Sequence, residues 1–222
     1  MTGRPRRAYG GSPRAGSVAQ AQDSAAEVAR AGRPGSGLSR GSDDVASAST
    51  ANPDDVAMRD VMRRYDQLGD EPPRFNVADN DAAYNTEGAH TIDRHGPDIP
   101  LRRDTTGKTI EGRIYGDDPW QKSATASYKW VDPSTMNREL NRYVRENWTA
   151  IRSDLAVDEF HESTFDAGHR VGQGYYNKGM YGAGPREAEY GETSLVRVRI
   201  KVVAGSDPAE PFIVSAFPAG LG

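Results

Sequence analysis

Apolar residues recur every third or fourth position through the middle of the chain: Met136, Leu140, Tyr143, Val144, Trp148, Ile151 and Leu155. That spacing is the signature of a helix with one buried stripe. Asp132 can cap its start and Pro133 suits its first position, so a helix is predicted from there to about Leu155. Arg138, Glu139, Arg142, Arg145, Glu146 and Arg152 fall largely off the stripe and are expected to solvate it. The pattern changes period towards the C-terminus. In SLVRVRIKVVA (194–204), Val196, Val198, Ile200 and Val202 alternate with Arg197, Arg199 and Lys201, as in a strand with one face buried. A turn at 205–208 and a second strand, PFIVSAF (211–217), complete a terminal antiparallel hairpin. The Gly- and Tyr-rich stretch 166–191 between helix and hairpin is too long for a simple turn; it is either a functional loop or one further hairpin.

The first half of the chain is patterned more weakly. Asn52, Pro53, Asp54 and Asp55 open a short helix that Glu71-Pro72-Pro73 closes, and this is read as a connector. His90 to His95 can form about one and a half helical turns before Gly96-Pro97, and PDIPLRRD then runs extended. TIEGRIY (109–115) is a short helix or strand. Residues 1–50 are Arg/Gly/Ser/Pro-rich with a single aromatic, Tyr9. Such a segment buries too little apolar surface to offset its ordering entropy. The expected organisation is a disordered tail over 1–50, a helical connector over 51–84 and a compact α+β domain over 85–222, with helices packed on a small antiparallel sheet.

Composition narrows the function classes. The net charge is −4, with 28 basic and 32 acidic residues, so neither half coats a polyanion by charge alone. The absence of cysteine removes disulfides, a thiol nucleophile and thiolate metal sites. No apolar run approaches the ~18 residues that span a bilayer. The arginines of Met1–Gly11 are followed by no apolar stretch, so a Sec-type signal is not expected.

Four histidines are the natural proton carriers: His90, His95, His161 and His169. His90 and His95 lie five apart, whereas a metal pair on a helix prefers three or four, and the carboxylates show no two-metal spacing. A metal-free, cofactor-free reaction is the simpler expectation. RNA allows one, because its own 2′-hydroxyl attacks phosphorus once a base removes the proton and a cation stabilises the phosphoryl oxygens. Each candidate also has a plain structural role. His90 or His95 can be a hydrogen-bonded structural histidine. Arg102, Arg103 and Arg113 can be surface charges, His169 can fix loop geometry, and Ser215 can be a packed hydroxyl. Trp120, Trp130 and Trp148 are expected in the core rather than under bases.

The ordered set GAHTIDRH, then SATASYKWVDPSTMNRELNRYVRENWTAI, then RVRIKVV and FIVSAFPAG resembles the bacterial RNase A-like toxin domain at the C-terminus of contact-dependent inhibition proteins and related polymorphic toxins. The resemblance covers most of 87–219. It implies an RNase A-like fold without disulfides and metal-independent cleavage of RNA, with tRNA a frequent target. It implies neutralisation by a cognate immunity protein, and action in a target cell's cytoplasm after export without a Sec signal; the 1–50 tail is either a solvated linker or a recognition segment for delivery machinery or nucleic acid. Carried over by position, the family histidine falls on His95 with His90 in reserve. The family arginine falls on Arg113, with Arg102 and Arg103 in contention because GPDIPLRRDTT is inserted. The last-strand hydroxyl pair falls on Ser215 and Phe217. Phe217 lacks the phenol of that pattern, which leaves its role to Ser215 and the backbone, or to His169 as an auxiliary group. It also keeps open a non-catalytic cargo or interaction module built on the same fold.

Overall fold

The computed structural model describes residues 52–180 and 184–220; the tail expected over 1–50 lies outside them. The chain runs α1 (Pro53–Leu68), α2 (Val77–Ala83), α3 (Thr91–His95), α4 (Gly112–Tyr115), β1 (Ala126–Trp130) and α5 (Pro133–Asp158). There follow β2 (Phe160–Asp166), β3 (Gly172–Asn177), β4 (Ala188–Thr193), β5 (Leu195–Val202) and β6 (Pro211–Pro218). The fold is α+β, with two three-stranded antiparallel sheets ordered β1-β3-β4 and β2-β5-β6.

Helix α5 forms where the apolar stripe predicts it. The Asp132 carboxylate accepts from the Thr135 backbone N–H at 2.8 Å, and Pro133 takes the first turn. All seven stripe residues are buried against Val196, Val198, Ile200 and Val202 of β5, with Ile213 and Ala216 of β6. Two residues expected to solvate the helix do not. Glu139 is buried between Arg138 and Arg142, and Arg152 is buried beneath α1. There the Arg152 guanidinium lies over the Tyr65 ring and donates to the Tyr65 carbonyl oxygen at 2.7 Å and to Asp70. The segment read as a connector is therefore part of the packed body. Leu68 and Val77 belong to the main core, and the Trp148 indole donates to the Gly69 carbonyl oxygen at 3.0 Å.

The Gly-rich stretch resolves as the β3–β4 hairpin rather than a functional loop, completing a second sheet. Its glycines answer to packing. A Cβ on Gly172 would lie 2.1 Å from the Pro218 side chain, and one on Gly174 would lie 2.1 Å from the Ser127 carbonyl oxygen. Only a bare backbone lets β3 approach both β1 and the end of β6. A smaller core of Ile99, Ile110, Ile114 and Tyr175 seats the 96–116 segment on this sheet, and TIEGRIY supplies the single helical turn α4.

Strand β6 is an edge, and side chains and one loop N–H rather than another strand satisfy its outer backbone groups. The Asn80 amide pairs both ways with Ile213, each bond 2.8 Å. The His90 N–H donates to Val214 O at 3.0 Å, the Ala216 N–H to Thr91 Oγ1 at 2.9 Å, and the Trp130 indole to Ala216 O at 2.9 Å. An edge blocked in this way cannot recruit a foreign strand, and the same bonds draw α2 and α3 onto the last strand.

Candidate functional site

The site is built where α3 meets β6. Helix α3 ends abruptly at Gly96, whose N–H donates to Ile92 O at 3.0 Å and where a Cβ would stand 2.5 Å from that same oxygen. The stop leaves His95 at the inner end of the helix, only 6% exposed. Its Nδ1–H donates to the Tyr128 carbonyl oxygen of β1 at 2.9 Å, and its ring stacks on Phe217 of β6 with centroids 4.5 Å apart and planes inclined by 16°. Because a carbonyl only accepts, this bond fixes the tautomer and leaves Nε2 with its lone pair. Burial lowers the His95 pKa from 6.5 to about 3, the nearby charges of Arg113, His90 and Arg94 press the same way, and the Tyr128 bond opposes them. The imidazole is neutral throughout the physiological range, so it is a proton acceptor rather than a donor.

Arg113, on α4, is half-buried; its charge acts on the His95 ring, and its guanidinium lies 4.8 Å from the Trp120 ring centre. That ring is pinned by its own N–H donating to Thr109 O at 2.8 Å. Among the described residues neither Arg113 nor Arg94 has a carboxylate within ion-pairing distance, although the protein is acidic overall. Burial and the Arg94 charge lower the Arg113 pKa, but so basic a group stays charged. The charges of Arg113 and Arg94 both act on the neutral His95 ring, and unpaired cations near such a ring favour an anion. Ser215 lies two residues from Phe217 on β6, opposite Arg199 of β5: it is 1% exposed, and its Oγ has no hydrogen-bond partner among the described residues.

The other candidates are placed differently. His90 precedes α3, with its Nδ1 2.6 Å from Gly88 O, and its charge is felt by both His95 and Asp81. Arg103 is committed to Asp117 through two bonds of 2.7 and 2.9 Å and lies over Tyr115. Arg102 is exposed on the same loop. His169 holds to Ala167 O and to Arg138 and Glu139 of α5, sharing no partner with His95. Of the tryptophans, Trp130 and Trp148 are core, whereas Trp120 forms the platform under Arg113.

Residue-by-residue reading of the sequence passed over Arg94, Thr91 and the Tyr128 carbonyl. Arg94 adjoins His95 in the chain, the one signal that points to it. Among the described residues no three His, Asp or Glu side chains gather as a metal site, and no helix is long and apolar enough to cross a membrane. Compared with protein-family models, curated proteins and solved structures, the chain matches none.

Proposed function

We propose that this protein is a metal-independent endoribonuclease of the RNase A-like toxin type, acting on RNA such as tRNA in competition between bacteria. The observation that carries the reading is a neutral, tautomer-locked His95 beside an unpaired, half-buried Arg113. In this mechanism Nε2 of His95 takes the proton of the 2′-hydroxyl as O2′ bonds to phosphorus. The P–O5′ bond breaks, the 5′-oxygen takes a proton from water, the hydroxide so formed takes the proton back from Nε2, and a 2′,3′-cyclic phosphate remains. Arg113, with Arg94 at its side, stabilises the charge that builds on the phosphoryl oxygens.

Burial is the main cause of the low His95 pKa and makes the ring a weak base before substrate binds. Arg113 and Arg94 help to hold it down, and a bound phosphate offsets their charge, so the base strengthens when substrate arrives. Phe217 takes the place of the family tyrosine by stacking on the imidazole rather than donating a proton.

The reading carries a cognate immunity protein that covers the cation-lined site, and delivery into a target cell through residues 1–50. The alternative of a non-catalytic interaction module draws on Phe217, which covers His95 without offering a hydroxyl. The test is incubation of the full chain with total RNA in excess chelator, with product ends mapped. Cyclic 2′,3′-phosphate ends that disappear in His95→Ala are expected. Intact RNA with the folded protein, together with harmless expression without an immunity partner, would favour the module.

A further inference from the structure

The face of the β2-β5-β6 sheet turned away from α5 has a regular composition. Strand register sets three rows across it: Phe217–Arg197–Thr164, then Ser215–Arg199–Glu162, then Phe212–Lys201–Phe160. The first row begins at the ring stacked on His95, so the other two lead away from the proposed cleavage site. Along β2 and β5 the rows are two residues apart, about 7 Å, close to the spacing of successive phosphates in an extended polynucleotide; on β6 a register shift puts Ser215 and Phe212 three residues apart.

The middle row is short of partners. Arg197 and Arg199 both bond the same oxygen of Glu162, Arg199 at 3.2 Å. The Arg199 Nε is buried without a hydrogen-bond partner, and so is the Oγ of Ser215, its direct neighbour across the strands. Two guanidinium groups thus share one carboxylate oxygen while a buried donor beside them goes unused. Burying a polar atom without a partner is unfavourable, and a phosphate in the place of the carboxylate would take up those donors.

Beyond this row lies a cavity of about 670 Å³ lined by Phe160, Phe212, Val214, Arg199 and Lys201, with Lys201 lying 5.9 Å from the Phe160 ring centre. Glu87, Asp158, Glu159 and Glu162 line it as well. Those carboxylates repel phosphate and accept from exocyclic amino groups, so the cavity suits a base and the arginine row suits the backbone.

We infer that this face binds single-stranded RNA flanking the cleavage site, with Arg197 and Arg199 clamping the neighbouring phosphate and Glu162 occupying that seat until RNA displaces it. The inference rests on the ribonuclease reading for its substrate but not for its geometry.

The test measures binding of a short fluorescent 2′-O-methyl RNA, which lacks the attacking hydroxyl, to the full chain. Arg197→Gln/Arg199→Gln is expected to weaken binding about tenfold or more and to reduce the slope of log affinity against log salt by about 0.7, one phosphate contact. Glu162→Gln is expected to tighten it. Arg59→Gln/Arg63→Gln, which removes two exposed charges from α1, controls for net charge. The inference is overturned if the parent does not bind, if the double variant stays within about twofold of the parent, if the control loses as much, or if Glu162→Gln does not bind more tightly. Should the double variant fail to fold, the Glu162→Gln result decides. Cleavage of RNA by the parent is scored separately. Cleavage without arginine-dependent binding removes this surface and keeps the enzyme; arginine-dependent binding without cleavage does the reverse.

Discussion

Two regions of the molecule each bury a histidine to the same depth, and they use it in opposite ways. Where α5 meets β2, His161 is 6% exposed and both its nitrogens are engaged: Nδ1–H donates to Asp154 at 2.7 Å and Nε2 accepts from the Tyr143 hydroxyl at 2.9 Å. Where α3 meets β6, His95 is equally buried but has one bond, to a backbone carbonyl, and its charged neighbours are cations. A carboxylate and a hydroxyl close the first ring's hydrogen-bonding capacity; the second ring keeps a lone pair. Burial alone therefore does not separate a core histidine from a reactive one. The inventory of partners does.

Replacement of each histidine should break the symmetry most sharply. His95→Ala is expected to reduce RNA cleavage by about a thousandfold while leaving the far-ultraviolet spectrum unchanged; retention of more than a tenth of the activity would remove the base from the mechanism. Arg113→Gln is expected to cost about a hundredfold in kcat with a smaller change in KM. His161→Leu should do the reverse. It leaves Tyr143 and Asp154 without their shared partner, so a loss of about 1–3 kcal/mol in denaturant unfolding is expected with cleavage per folded molecule unchanged. A loss of activity as large as that of His95→Ala would show that the two regions are not distinct in role.

Acid is the finest probe. The folded His95 titrates at about 3 against 6.5 for the free side chain, so between these values the unfolded chain binds the extra proton. Its contribution to stability is full above about pH 6.5 and declines as the pH falls towards 3, by up to about 1.4 kcal/mol per unit. His95→Gln should flatten that dependence, read as urea midpoints from pH 7 to 4. Parallel pH profiles for parent and variant would mean that His95 is not shielded as its burial implies.

Much of the architecture is written in local periodicity. Helix α5, strands β5 and β6, the short α3 and its stop at Gly96 each follow from spacing, caps and turn residues, because those signals act within a few residues of themselves. His95, Arg113 and Ser215 were also recognisable as types suited to phosphoryl chemistry. What the chain alone left open was which residues meet. The stretch that forms the β3–β4 hairpin stayed open between loop and hairpin because its glycines serve contacts with Pro218 and Ser127, far away in sequence. Glu139 and Arg152 looked solvated because the arginines and the α1 surface that enclose them lie on other turns and other elements. The state of His95 was decided the same way: Tyr128 sets its tautomer, Phe217 covers its face and Arg113 helps to hold its proton off. Periodicity is a property of neighbours along the chain, whereas desolvation and hydrogen-bond closure depend on groups that only folding brings together.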